Sequence, residues 1–371
     1  MSISVLPKTN KNELNIEIKD VDTSIVNGIR RVCLAEYTTV AFNIDDYINS
    51  DLKVIKNTCG LHNEFLLHRI GLIPIHYKSL ELFDVNKYKF ILKKKNEGYK
   101  TINVTTEDFE VVDTETGKQI DARQFFPPNE RNSYILITKL KSNPNKKGEE
   151  IHIEGKASKN IGKKHARYQP VSCITYKNMR DPEKVQTNLD KYLKDNKDNE
   201  KPEALKTQFE LSQADRYFYT NKNGVCKSFE MYIESLGVVS PEKILLGCLD
   251  ILSSKLHSFK TSLGNIIENK TEEEFIRLDI SLENMKSYTI TAQNESHTLG
   301  NIIQSHALNY FDRKKLPFIG YKNPHPLKNL IEFKICTENN TPEEINEIIS
   351  ITCDKIIATL EGLKKTVLKK L

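Results

Sequence analysis

Cys59, His62 and His68 are of the types that ligate a transition metal. Their spacing matches no compact zinc site, and a fourth ligand is lacking. The segment 61–76 reads instead as a helix whose face at 61, 65, 66 and 70 is core. Arg69, just ahead of a Gly-Leu-Ile-Pro stop, is then a positioned contact or a cap. Gly162-Lys163 is of phosphate-loop type, but the glycine spacing is wrong and Lys164 stands where a magnesium-binding Ser or Thr belongs. Residues 139–168 carry nine Lys or Arg against three Glu, with Tyr168 interleaved. Such a stretch permits nucleic-acid contact, or the docking of an acidic protein partner, which is the reading preferred here. The seven cysteines are scattered, the closest pair being 17 apart, so no C-x-x-C metal or redox site exists. Apolar neighbours, as in Val32-Cys33-Leu34, mark them as reduced core thiols. No nucleophile elbow, H-E-x-x-H or glycine-rich nucleotide fingerprint is present. The expectation is a binding or assembly protein with no catalytic residue, no metal and no cofactor.

The elements that hold these residues repeat. Sliding the chain by 274 places Ser24 on Thr298, Ile25 on Leu299, Asn27 on Asn301 and Ile29 on Ile303. Each copy reads as an alternating strand, an acidic turn, a Ser/Thr N-cap and a helix. Apolar residues fall at 25, 29, 32 and 33 in the first helix and at 299, 302, 303 and 306–310 in the second, a 3.6-residue period. Ser240-Pro-Glu and Thr341-Pro-Glu then share one helix-start pattern, Thr341 with Glu344 forming a capping box. The two long helices are expected over about 241–268 and 342–370, each after a strand, 228–234 and 330–337. Both halves thus read strand, helix, strand, long helix. The fold class is α+β, a pseudo-two-fold pair of units with long packed helices and an inserted, mostly β subdomain. Residues 1–44 with 216–275 form the first unit, 45–215 the insertion and 284–371 the second unit. Within the insertion, 180–210 is charged and reads as a solvated loop or loose helix.

Composition agrees. The 371 residues suggest two to three domains, and a net charge of +5 is too small for a dedicated nucleic-acid coat. Mean hydropathy is −0.51, and no apolar run approaches the roughly 18 residues of a spanning helix. The first fifteen residues lack the apolar core of a secretory signal, so an intracellular, soluble protein is expected.

Three segments carry a resemblance. They are Asp20 to Glu36 with Asn27, Arg30 and Arg31; His62 to Pro74 with His68, Arg69 and Gly71; and Gly162 to Val171 with His165 and Pro170. Together they resemble the third-largest subunit of eukaryotic RNA polymerase II, the archaeal D subunit and, more distantly, the bacterial α N-terminal domain. Glu295 to Asn301 and Gly320 to Leu327 resemble the eleventh subunit, or archaeal L. Both in one polypeptide is similar to what large nucleocytoplasmic DNA viruses encode. The resemblance implies a non-catalytic platform of a DNA-directed RNA polymerase on which the two large catalytic subunits assemble. It implies that Arg30, Arg31, Arg69, Gly71, Pro74, Lys163, His165, Arg167 and Pro170 face the second-largest subunit. Asn27, Ile29, Leu249, Leu252, Leu256, Leu299, Asn301, Ile349, Ile356 and Leu360 would form the dimerisation seam, now intramolecular. Small polymerase subunits are further implied partners, with DNA touched at most indirectly and no membrane. The location implied is a host cytoplasmic factory and virion if the chain is viral, the nucleus if cellular. Family members that carry a four-cysteine zinc loop or an iron–sulfur insert do so in the inserted domain; residues 77–150 here hold no cysteine, so no metal is expected. The alternative is a free-standing nucleic-acid-binding protein using 139–168, for which paired halves serve no purpose.

Overall fold

The structure is a computed structural model that describes residues 2–7, 10–45, 49–142, 148–196, 201–268, 273–281 and 287–370. Strands β1 (Ser2–Val5) and β2 (Glu13–Lys19) lead into helix α1 (Thr23–Ala35), followed by β3 (Thr38–Ala41), β4 (Leu52–Asn57) and helix α2 (Asn63–Gly71). Strands β5 (Tyr88–Lys95), β6 (Ile102–Thr105), β7 (Phe109–Asp113), β8 (Gln119–Ile120), β9 (Leu136–Leu140), β10 (Glu150–Gly155) and β11 (Ser158–Ile161) come next. After β12 (Val171–Asn178) stand helices α3 (Pro182–Asp195) and α4 (Pro202–Ser212), then β13 (Ser228–Ser235) and the long α5 (Pro241–Glu268). The chain continues through β14 (Ile276–Ser281), β15 (Ser287–Gln293), α6 (His297–Tyr310), β16 (Phe318–Lys322), β17 (Leu330–Cys336) and α7 (Pro342–Lys370).

Two compact units result: residues 1–33, 173–234 and 241–371 form one, and residues 34–172 with 235–240 form the other. In the first unit the repeat is complete. One sheet runs β1-β2-β13-β12 and the other β14-β15-β17-β16, so each strand of the first half has a counterpart in the same place. The register agrees as well: Ile16 faces Met231 and Ile18 faces Phe229, while Ile290 faces Phe333 and Ala292 faces Ile331. Strict alternation over Glu13–Lys19 buries Leu14, Ile16 and Ile18 on one face, as a half-buried strand requires. The turn before each helix uses a left-handed residue at matching positions, Asp20 at φ 62° and Asn294 at φ 60°. Asp and Asn are the residues besides glycine that tolerate this backbone.

The expected Ser/Thr N-cap holds in the second half, where it is Ser296, and is replaced in the first half by Asp22. Asp22 Oδ1 accepts from the Ser24 amide at 3.0 Å and Ser296 Oγ from the Thr298 amide at 3.4 Å, so the cap lies two residues before the matched Ser24 and Thr298. At α7 the Glu344 amide donates to Thr341 Oγ1 at 3.3 Å, but the Glu344 carboxylate accepts from Asn339, leaving half a capping box. The insertion is also divided. Strands β3 to β11 lie between α1 and β12, whereas α3 and α4 lie between β12 and β13.

Of the two readings of 180–210, the helical one holds: α3 and α4 occupy the segment, and 197–200 lie outside the described residues. Val185, Leu189 and Tyr192 form a half-buried stripe on α3, and α4 buries Leu205 and Phe209. Tyr192 and Phe209 meet with ring centroids 5.5 Å apart, and Phe209 stacks on Tyr217 at 5.9 Å. Arg180 fixes the base of this hairpin through Asp215, at 2.6 Å, and Glu210.

The second unit is mostly β. Its main sheet runs β4-β10-β5-β7-β8, with the pairs β11-β3 and β6-β9 beside it. Its core is aromatic: Phe42 meets Phe90 edge-on at 5.2 Å, and Phe109 stacks on Phe126 at 4.8 Å.

Candidate functional site

In the first unit, the two halves meet along two seams. The outer seam is α5 against α7, antiparallel. Lys364 pairs with Asp250 at 2.5 Å, Lys260 with Asp354 at 2.7 Å, and Asn346 donates to Glu268 at 2.9 Å. Each step up one helix is a matching step down the other, so one register holds along the whole length. Between these polar edges lie Leu249, Leu252, Leu256, Ile349, Ile356 and Leu360, each no more than 2% exposed. Each long helix also reaches the other half's sheet: α7 packs on β1, with Lys370 donating to the Ile3 carbonyl, and α5 packs on β14.

The inner seam is α1 across α6. Arg31 Nε donates to Thr298 Oγ1 at 2.8 Å. At the other end of the crossing Ser305 Oγ donates to Asp22 Oδ1 at 3.0 Å. Burial alone would raise the Asp22 pKa, yet hydrogen bonds from Ser24 and Ser305 and the nearby His306 hold it below the ordinary carboxylate value. Lys255 on α5 closes the seam by pairing with the buried carboxylate of Glu295 at 2.9 Å. Ile29 and Leu299 are buried here, whereas Asn301 is exposed. Asn27 accepts two N–H groups from Arg30, both at 3.1 Å, within α1 itself. Arg30 and Arg31 are both half-buried, and Arg31 is already engaged by the second half. The apolar positions 306–310 of α6 are not one buried run, since Leu308 is 47% exposed.

In the second unit, the remaining residues that the resemblance assigns to a partner contact gather around α2 and the loop after β11. Arg69 is a positioned contact: Nε and Nη2 donate to the carbonyls of Ile137 and Leu136 at 2.9 and 3.0 Å. Arg167 turns inward, its side chain 2% exposed, pairing with Asp45 at 2.8 Å and donating to the Phe42 carbonyl at 2.9 Å. His165 Nδ1 accepts from both the amide and the Nε of Arg167, each at 3.1 Å. Burial first, and the Arg167 charge second, hold the His165 pKa below its ordinary value. Gly71 has no room for a side chain, because a Cβ would stand 2.9 Å from Ile44 and 3.4 Å from Arg167. Gly162 is more tightly constrained, its Cβ position lying 2.1 Å from the Leu34 carbonyl oxygen, a backbone atom that cannot turn aside as the Ile44 side chain can. Lys163 is exposed but its amide donates to the Ala35 carbonyl, and Pro170 is buried and accepts from the Leu236 amide. Pro74 is half-buried in the turn after α2.

A cleft of about 590 Å³ opens here, lined by Ile44, Asp45, Glu64, Phe65, Leu67, His68, His165 and Arg167. Phe65 corrects the expected core face of α2: it is 66% exposed, and the buried residues are Leu66, Leu67, Ile70 and Gly71. Three apolar residues in a row, Phe65-Leu66-Leu67, cannot all lie on one face of a helix. That was the available signal for an outward aromatic. Within the basic stretch 139–168, Arg167 is internal, Lys139 stands on β9, Lys159 on β11, and Lys141, Lys156, Lys163 and Lys164 on the connecting segments. Lys146 and Lys147 lie outside the described residues. Among the described residues, no group of three His, Cys, Asp or Glu is placed to hold a metal ion, and no helix is long and apolar enough to cross a membrane.

Two equivalent half-units, closed on each other by paired long helices and crossed short ones, define a dimerisation platform within one polypeptide. Two family profiles, both described as the RNA polymerase Rpb3/Rpb11 dimerisation domain, match residues 15–256 and 287–366. The chain belongs to this RNA polymerase Rpb3/Rpb11 dimerisation-domain family, and it is a non-catalytic assembly subunit of a multisubunit DNA-directed RNA polymerase. It is similar to DNA-directed RNA polymerase II subunit RPB3 of Schizosaccharomyces pombe, 26% identical over 264 residues, covering 66% of this chain and 82% of that one. DNA-directed RNA polymerase subunit Rpo3 of Methanosphaera stadtmanae is 26% identical over 315 residues, covering 74% of this chain and all of its own length. DNA-directed RNA polymerases II, IV and V subunit 3 of Arabidopsis thaliana is 24% identical, with 66% and 86% covered.

Proposed function

We propose that this platform recruits the second-largest polymerase subunit, and with it the largest, through one surface on each unit. On the first unit the contact is Arg30 with Arg31; on the second it is the Arg69–Pro74 turn and the Lys163–Pro170 loop. Residues 1–44 with 216–275, and 284–371, act as the two dimerisation units; of the 45–215 insertion, β12, α3 and α4 join the first unit and the remainder carries the second surface. Both family matches falling on one chain is the observation that carries this reading, because a platform needs both halves before it can accept a large subunit.

The second surface is built for protein contact. Arg69 and Arg167 are fixed on backbone carbonyls, so the loops around them are held in shape before a partner arrives. Pre-ordered loops reduce the entropy lost on association. Phe65 stands out from this frame as an exposed aromatic, the type of side chain that dominates binding energy at interfaces.

The test is co-expression with the second-largest subunit and affinity capture, with thermal melting as the folding control. F65A and the double variant R30A/R31A should each reduce capture, by roughly 30-fold or more in affinity if the group is an anchor. R31A also removes the bond to Thr298, so a Tm loss of a few degrees is expected with it and none with F65A. Wild-type capture by both variants would refute the assignment.

A further inference from the structure

The crossing of α1 and α6 contains a contact between two positions that the repeat makes equivalent. Sliding by 274 carries Gly28 onto Ile302, and these two residues touch. A Cβ placed on Gly28 would lie 2.7 Å from Ile302 Cδ1, 3.6 Å from its Cγ1 and 3.7 Å from Thr298 Cγ2. A residue that meets its own counterpart sits on the pseudo-two-fold axis. The flanking bonds agree: Arg31 with Thr298 on one side and Asp22 with Ser305 on the other are near-equivalent positions with the halves exchanged. Both axial residues are buried, Ile302 being 1% exposed.

We propose that Gly28 and Ile302 are a size-complementary pair on this axis that makes each half fit the other half and not a copy of itself. There is room on the axis for one large side chain. Two first halves would bring two glycines together and leave a void where Ile302 now packs. Two second halves would place two isoleucines where only one fits. Voids and overpacking each destabilise a close-packed interior. Glycine inside a helix is otherwise unfavourable relative to alanine, so its presence in the middle of α1 calls for a packing reason of this kind. The inference rests on the geometry of the first unit and is independent of which polymerase subunits bind.

The full-length chain can be made to imitate each like pairing internally. G28I reproduces the large–large contact and I302G the small–small one. Each should lower Tm by roughly 5–15 °C, and the size-inverted double variant G28I/I302G should regain most of the summed loss. A milder pair covers the case in which G28I does not fold. I302V deletes Cδ1, the atom that a side chain at position 28 meets first. G28A should therefore raise Tm by at least about 2 °C more in the I302V background than in the wild type. Rescue in the inverted pair and this background dependence support the proposal. Additive losses, or an equal effect of G28A in both backgrounds, overturn it, since a glycine needed only for its backbone would ignore residue 302.

Discussion

The His165 ring takes two N–H groups from Arg167 on a single nitrogen, Nδ1, which fixes its neutral tautomer with the proton on Nε2. Arg167, Asp45 and His68 are the charged or titratable groups that act on it. With the folded pKa held below the ordinary value near 6.5, the unfolded chain takes up this proton first as the pH falls. The contribution to stability is whole above about pH 6.5 and is lost as the pH drops through and below it. Burial depresses His76 and His306 in the same direction, so the wild-type Tm should fall between pH 7.5 and 5.5, with all three rings contributing. H165N retains an acceptor for the Arg167 N–H groups without the titration, and its Tm should fall less over that range. Identical pH slopes would show that the His165 contact does not titrate in this way. The resemblance brought His165 and Arg167 forward from the sequence, but not their arrangement. An arginine three residues after a Lys-Lys pair reads as surface charge, and the Phe42 carbonyl and Asp45, more than 120 residues away, turn it inward.

At the scale of elements, the α5–α7 seam separates apolar from ionic contributions. Ile356 is fully buried between the helices, so I356A should cost roughly 2–5 kcal/mol in chemical denaturation. The Lys260–Asp354 pair lies at the rim, with side chains 32% and 53% exposed, and K260A should cost under about 1 kcal/mol. Equal losses would mean that the ion pairs set the seam. These helices were legible because proline after a hydroxyl residue marks their starts and a continuous apolar face their length. The α3–α4 segment was legible only as loop or loose helix, and its folding into a hairpin was not legible. Its apolar residues are few and spaced along two short helices, and each stripe is covered only because the other helix folds back on it. Strands β1, β12, β14 and β16 escaped for a related reason: they lie on the outer sides of their sheets, and their place comes from neighbours distant in sequence.

At the scale of the whole molecule, the two halves share a topology but not a sequence span. In the second half, β15 and its partner β17 lie within Ser287–Cys336, whereas in the first half β2 waits for β13, at Ser228–Ser235. Closing the longer loop costs only a little more free energy, yet distant pairings form more slowly. Synthesis sharpens the difference. At about 5–20 residues per second, Thr298 leaves the ribosome roughly 15–50 s after Arg31, its partner across the inner seam. Throughout that interval the apolar face of α1 has no second half to lie against, while α6 emerges into a cell that already holds its counterpart. Ribosome-bound chains arrested near residue 270 should therefore be cleaved by protease within the Thr23–Ala35 segment, and chains released at full length should resist. Equal resistance in both would mean that the first half closes alone. A subunit joined in tandem is thus guarded against dilution but open to capture during its own birth, and a holding chaperone has its clearest opportunity at α1.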